Sequence, residues 1–190
     1  HILGTHDLLP RMISSDTLRS AIFWGPPGTG KTTLAHVIAH ETSCHFETFN
    51  AAMIGVADIR RIIEEARSRI EQGNGRTILF LDEIHRFSRS QQDVLLEAVE
   101  HGIIILVGST TENPAYTVNN ALISRSTLFQ LEPLTSDEIE SVVRSALTER
   151  RGIGALGIQV TDDAVAHWAK MADGDARRAL NALEIAAGSC

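Results

Sequence analysis

The eight residues Gly25-Pro26-Pro27-Gly28-Thr29-Gly30-Lys31-Thr32 constrain this chain more than any other stretch. They satisfy the pattern G-x-x-x-x-G-K-[ST]. Before them stands the apolar run Ala21-Ile22-Phe23-Trp24, and after them Lys31 to Glu41 carries Leu34, Val37 and Ile38 along one helical side. A strand, a glycine-rich turn and a helix in that order make a cradle for phosphate. Glycines let successive backbone N–H groups point inward at an anion, and the helix behind presents the positive end of its dipole. Lys31 adds a full charge for the outer phosphates, and the Thr32 hydroxyl is a ligand for magnesium. Gly25, Pro26, Pro27, Gly28, Thr29, Gly30, Lys31, Thr32 and Thr33 are therefore the expected nucleotide-binding residues. A glycine turn that holds nothing is the plain alternative, and the flanking strand and helix argue against it.

The rest of the chain alternates in the same way. His45 to Phe49 reads as a second strand. From Asp58, residues Ile59, Ile62, Ile63, Ala66 and Ile70 recur at helical spacing until Gly73-Asn74-Gly75 stops the helix. Thr77 to Leu81 is continuously hydrophobic, as a strand covered on both faces should be. A helix over Ser90 to Val99, a fourth strand over Ile103 to Val107 and a fifth over Thr127 to Leu131 follow. Strands alternating with helices imply parallel pairing with right-handed crossovers, hence a doubly wound α/β sheet. After Pro133 the texture changes. Thr135-Ser136-Asp137-Glu138 and Thr161-Asp162-Asp163 cap helices, and Asp175 to Ala187 is a third, rich in Ala and Leu. The expected organisation is an α/β nucleotide-binding core over residues 1–133 and a small helical subdomain over 134–190.

The third strand ends in two acids, Asp82 and Glu83. A carboxylate at the end of a central strand, level with the phosphate loop, can hold magnesium through its hydration shell, which fits Asp82. Glu83 is then placed to polarise the water that attacks the terminal phosphorus. An acidic pair that merely meets solvent is the bland reading, and the phosphate loop on a neighbouring strand weighs against it. A nucleotide-dependent switch or scaffold could dispense with the second acid, whereas an ATPase needs it. The expected cofactors are ATP and Mg2+, with Thr32 and Asp82 on the metal.

Composition narrows the class further. The 190 residues are 43% hydrophobic, enough for a sizeable core, and the formal net charge is -7. A nucleic-acid-coating protein would be basic, so any attraction to DNA must come from a local cluster such as Arg86 and Arg89. The longest aliphatic run, Ile103 to Val107, is too short to span a bilayer. Cys44 and Cys190 stand far apart, which is no disulfide framework. No basic and apolar leader opens the chain, and a cytoplasmic protein is expected. His36, His40 and Cys44 stand four apart, but Val37 denies them the His-Glu-x-x-His pattern, and metal binding there is not expected.

The phosphate loop together with Asp-Glu after an apolar strand resembles the AAA+ superfamily of P-loop ATPases, and the helical segment resembles its lid. More narrowly, Asp82-Glu83-Ile84-His85-Arg86-Phe87, Gln91-Gln92-Asp93, Thr110-Thr111-Glu112-Asn113-Pro114 and Ala121-Leu122-Ile123-Ser124-Arg125 resemble the replication-associated recombination protein A family, which includes the Werner helicase-interacting proteins. One departure is Glu97, where many relatives carry proline.

The resemblance implies a three-layer sandwich with a parallel five-stranded sheet in the order 5-1-4-3-2. It implies ATP hydrolysis coupled to maintenance of replication forks, recombination and repair, in the bacterial cytosol or nucleoid. It also implies a ring-like homo-oligomer, DNA forks, gaps or ends as partners, and replication proteins such as single-stranded DNA-binding protein. By the same resemblance Thr111 matches the sensor at the end of the fourth strand, with Asn113 the second candidate. Arg125 matches the arginine finger that reaches a neighbour's ATP, Arg177 the lid arginine, and Asn50 the polar residue that restrains the catalytic glutamate. Each has a bland counterpart: Thr111 and Asn113 as turn residues before Pro114, Arg125 and Arg178 as partners of helix-end carbonyls. Relatives of this kind begin before His1 with a segment that packs on adenine and continue past Cys190 into an assembly region, so a piece of a longer protein is expected. A clamp-loader subunit or a Holliday-junction branch-migration motor on the same fold is the first rival. A non-hydrolysing scaffold is the rival of another class.

Overall fold

Alternation along the middle strands sets the layering of the computed structural model, which describes residues 19–149 and 152–188. In β3 (Thr77–Asp82), Ile78 and Phe80 turn to one side of the sheet while Leu79 and Leu81 turn to the other, and all four are fully buried. Every residue of β4 (Ile104–Thr110) is buried as well. Strands covered on both faces require helices on both faces. Ala21 and Phe23 of β1 (Ala21–Trp24) join Ile78, Phe80, Ile105 and Val107 against Leu34, Ala35 and Ile38 of α1 (Lys31–Glu41). The opposite face packs Ile22, Leu79, Leu81, Ile104 and Leu106 against α2 (Val56–Glu71) and α3 (Arg89–Glu100) through Ile59, Ile62, Ala66, Leu95 and Ala98.

The partly exposed strands β2 (His45–Asn50) and β5 (Thr127–Gln130) lie at the edges. The order is β2-β3-β4-β1-β5, and every pairing is parallel. That is the order which the resemblance implied. Truncation of Phe23 or Phe80 in this core carries the usual cost of about 3–5 kcal/mol for a buried aromatic.

Helix ends follow their local chemistry. Ser88 and Gln91 form a reciprocal cap on α3. Past α2, Gly73 takes a φ of +72°, and the Asn74 N–H closes on the Arg69 carbonyl at 2.8 Å.

The described residues fall into two compact units. The first runs to Gly25 and resumes over Lys31–Leu131; the second comprises Pro26–Gly30 and the residues from Glu132 onward. The second contains α6 (Ser136–Thr148), α7 (Asp162–Ala172) and α8 (Ala176–Ala187), with a core of Ile139, Val143, Val165, Ala169, Ala172, Ala179 and Leu183. Thr135, Thr161 and Asp175 cap these helices by accepting the Glu138, Ala164 and Arg177 amides. The adenine-side segment expected at the start of the chain lies outside the described residues.

In the first unit, two short helices, α4 (Pro114–Thr117) and α5 (Asn120–Ser124), lead from β4 to β5. Buried Gln92 holds this connection. Its amide nitrogen donates to the carbonyls of Phe87 (3.1 Å) and Thr117 (3.0 Å), and its oxygen accepts the Asn119 N–H at 2.6 Å. Asp93 adds a bond from the Asn119 amide at 2.9 Å. Gln92→Leu keeps the volume but strips partners from three backbone groups, for an expected loss of about 2–4 kcal/mol. Urea unfolding reads it; an unchanged midpoint would show that these groups find other partners.

Candidate functional site

Parallel pairing delivers the C-terminal ends of all the strands to one edge, where open α/β sheets bind their ligands. The register sets Trp24 beside Thr110, Leu81 beside Gly108 and Asn50 beside Asp82. One step beyond Trp24, the Gly25 N–H donates to the Thr110 carbonyl at 3.2 Å. The phosphate loop thus departs from the end of β4 as well as from β1. Lys31 opens α1 with its side chain 7% exposed, and its Nζ donates to the Gly25 carbonyl at 2.8 Å. Burying an ammonium group costs several kcal/mol without such compensation. Thr32 is half-buried and Thr33 is exposed on the same helix.

The loop residues of the second unit are shaped by α8. Gly28 has a φ of +72°, and a side chain there would overlap the Asp175 carboxylate. The Ala176 N–H donates to the Gly28 carbonyl at 3.2 Å, and Thr29 Oγ1 closes on the Pro26 carbonyl at 3.0 Å. Asp175 accepts the Arg177 N–H at 2.9 Å, and Arg177 lies in the first turn of α8 with an exposed side chain, in the unit that holds Gly28.

At the end of β3, the Asp82 carboxylate accepts a hydrogen bond from the hydroxyl of Ser109, a fully buried residue of β4. Glu83 follows in the left-handed region, φ 58° and ψ 44°. A residue with a Cβ costs roughly 1–2 kcal/mol there. The turn is pinned by buried Ile84, which packs over Gly108 so closely that a Cβ at 108 would lie 3.1 Å from Ile84 Cδ1. His85 comes next, with a side chain 8% exposed. Its Nδ1 is 3.0 Å from Thr110 Oγ1, and its Nε2 is 3.3 Å from Glu83 Oε2 and 3.7 Å from Glu112 Oε1.

The fourth strand, expected over Ile103 to Val107, runs on to Thr110 and stops one residue short of the expected sensor, Thr111. Thr110 closes β4 and is fully buried, while Thr111 is exposed in the turn that follows. Asn113 caps α4, its Oδ1 accepting the Ala115 N–H at 3.0 Å. Asn50 Oδ1 accepts the Ala52 N–H at 2.9 Å, closing its own turn. Arg125, just past α5, donates to the Ala121 carbonyl (2.9 Å) and Ser124 Oγ (3.1 Å) and pairs with Glu100 at 2.5 Å.

The structure therefore joins Lys31, Gly25, Thr110, His85 and Glu83 through successive contacts, with Asp82 anchored to the neighbouring Ser109. Ser109, Thr110 and His85 were not singled out from the sequence as site residues. The available signal was a pair of hydroxyl residues prolonging an apolar strand and an imidazole two places beyond the strand-end acid.

The model of the AAA family, the ATPase family associated with various cellular activities, matches residues 21–134. The chain belongs to this family. Replication-associated recombination protein A of Escherichia coli K12 is 46% identical over 188 residues, which cover 98% of this chain and 42% of that protein. An uncharacterised AAA domain-containing protein of Mycobacterium tuberculosis is 46% identical over 187 residues, 98% of this chain and 41% of its own length. This AAA chain thus spans about two fifths of such relatives. The solved RuvB Holliday junction branch migration motor of Thermotoga maritima superposes with a TM-score of 0.74 at 26% identity, covering 91% of this chain and 56% of that one.

The backbone at Glu83 carries its own prediction. Both Glu83→Gly and Glu83→Ala remove the carboxylate, but only glycine is relaxed in the left-handed turn. Glu83→Gly is expected to be the more stable of the two by about 1 kcal/mol, against the usual order of these residues. Denaturant midpoints of the pair test it, and an alanine variant equal to or above glycine would show that the turn relaxes.

Proposed function

We propose that this AAA chain is the ATP-hydrolysing core of an oligomeric motor acting on DNA in replication-fork maintenance, recombination and repair. The carrying observation is the joining of the buried Lys31 ammonium, at the mouth of the phosphate loop, to the strained Glu83 turn through the end of β4. Lys31 takes the charge of the outer phosphates, Gly25–Thr33 supply backbone and hydroxyl donors, and Glu83 orients and polarises the attacking water. Asp82 and Thr32 are hard oxygen donors of the kind Mg2+ accepts alongside several waters, and they fit that ion. Bound there, Mg2+ neutralises phosphate charge. Thr111 and Asn113 are assigned to the terminal phosphate or water, and Arg177 to the nucleotide from the helical unit. Asn50 is kept as a candidate restraint on Glu83, and Arg125 as the finger for a neighbouring subunit. Residues 1–133 serve as the nucleotide-binding core and 134–190 as the lid. The DNA role is supported by similarity to replication-associated recombination protein A. Self-assembly, fork or gap structures, replication proteins and a cytosolic or nucleoid setting belong to the same reading.

A second reading, branch migration of DNA junctions, is favoured by the superposition on the RuvB motor. A four-way junction included among the DNA substrates separates the two. A non-hydrolysing scaffold would release no phosphate.

Two measurements on the full-length protein test the core proposal. Lys31→Ala is expected to lose ATP binding, whereas Glu83→Gln keeps the native dissociation constant and loses turnover by about 10²-fold or more. Normal turnover in Glu83→Gln would remove the assignment. Arg125→Ala is expected to lower turnover by about 10³–10⁵-fold. Mixing it with Lys31→Ala should restore part of the activity, since the two defects lie on different sides of a shared site. Co-assembly without recovery would count against action in trans.

A further inference from the structure

We propose that His85 is a positioning residue for ATP hydrolysis, tying the Glu83 carboxylate to the end of β4 beside Thr111; the inference rests on the ATPase reading above. A nearly buried imidazole must place both ring nitrogens, and here each has a polar neighbour. The Glu83 carboxylate lies 3.3 Å from Nε2, with Glu112 Oε1 at 3.7 Å, so that nitrogen faces two carboxylates. Nδ1 is 3.0 Å from the Thr110 hydroxyl, whose hydrogen also has the Glu112 carbonyl within reach at 3.4 Å. The same hydroxyl oxygen accepts the Glu112 N–H at 3.0 Å. A chain of polar contacts therefore runs from the Glu112 amide through Thr110 and His85 to Glu83.

The placement gives this relay its meaning. Thr111 lies between Thr110 and Glu112, so both flanks of the proposed phosphate sensor are tied to the group that holds the proposed base. Glu83 sits in a left-handed turn, and the nearly buried ring lies 3.3 Å from its carboxylate, where it can set that group's direction. Asn50, the residue that the family resemblance marks for restraining Glu83, spends its amide oxygen on Ala52. The imidazole contact at 3.3 Å stands beside that candidate restraint. A role for His85 on DNA or solvent is disfavoured by its burial, and a role in packing alone does not account for polar groups at both ring nitrogens.

The test uses full-length protein, ATP titration for binding and steady-state kinetics for turnover, with Glu83→Gln as reference. His85→Ala is expected to lower kcat by about 10²-fold, the usual cost of a misplaced catalytic group. ATP affinity should stay within about two-fold, since orientation acts on the reacting state. His85→Gln places an amide nitrogen where Nε2 was and should keep kcat within about five-fold of native, whereas His85→Asn reaches only the Nδ1 position and should fall with alanine. Glu83→Gln combined with His85→Ala should be no slower than Glu83→Gln alone, because the two residues act as a unit. Native kcat in His85→Ala would overturn the inference, as would a glutamine variant as slow as alanine, or ATP affinity lost in parallel with turnover. Normal turnover in Glu83→Gln would overturn the ATPase reading itself, and the His85 inference with it.

Discussion

A parallel sheet sends its strands out at one edge, and the bond from the Gly25 N–H to the Thr110 carbonyl ties two of those exits together. Gly25 is the turning point of the phosphate loop, and its carbonyl receives the Lys31 ammonium. Thr110 ends β4, and its hydroxyl faces His85 and, beyond it, Glu83. A shift of β1 against β4 by one residue would separate the cation from the acid. The hydrophobic layers on both faces resist that shift, since it would turn Ile22 and Phe23 to the wrong sides of the sheet. The core is in this sense the reason that a charged site can be placed within a fraction of an ångström.

The site breaks the local rules that the rest of the chain obeys. Lys31 is buried, Ser109 and Thr110 extend an apolar strand into the interior, and Glu83 adopts a conformation that side chains resist. Each exception is matched by a specific partner: a carbonyl for Lys31, the Asp82 carboxylate for Ser109, the imidazole and the Glu112 amide for Thr110. Departures of this kind, held by their surroundings, are what a functional site looks like physically.

The sheet was legible because hydrophobic runs of strand length alternate with helical periodicity, and because the phosphate-loop pattern joins a strand to a helix; its strand order came only through the family resemblance. The Asp82-Glu83 pair was legible for the same reason: an apolar run that stops on acids marks a strand end. The last turn of β4 was not. Gly108-Ser109-Thr110 looks polar enough to be loop, and only the flanking strands and the bonds from Asp82 and His85 make it interior. His85 was equally hidden, since an imidazole after a strand end is as much at home in solvent. Its burial depends on Ile84 locking over Gly108, a contact between residues 24 positions apart that no local pattern encodes.

The surroundings of Arg125 bear on how a finger could work. Glu100 holds its guanidinium at 2.5 Å, and the Ala121 carbonyl takes another N–H. Arg125 is 41% exposed and Glu100 36%, so the pair sits where ion pairs contribute about 0–1 kcal/mol. A finger inserted at a neighbour's phosphates is worth about 10³–10⁵ in rate, or about 4–7 kcal/mol in the transition state. The cis pair is therefore too weak to hold the arginine back from such a target. Nor is it enough by itself to fix one rotamer of a long side chain whose freedom is worth about 2 kcal/mol.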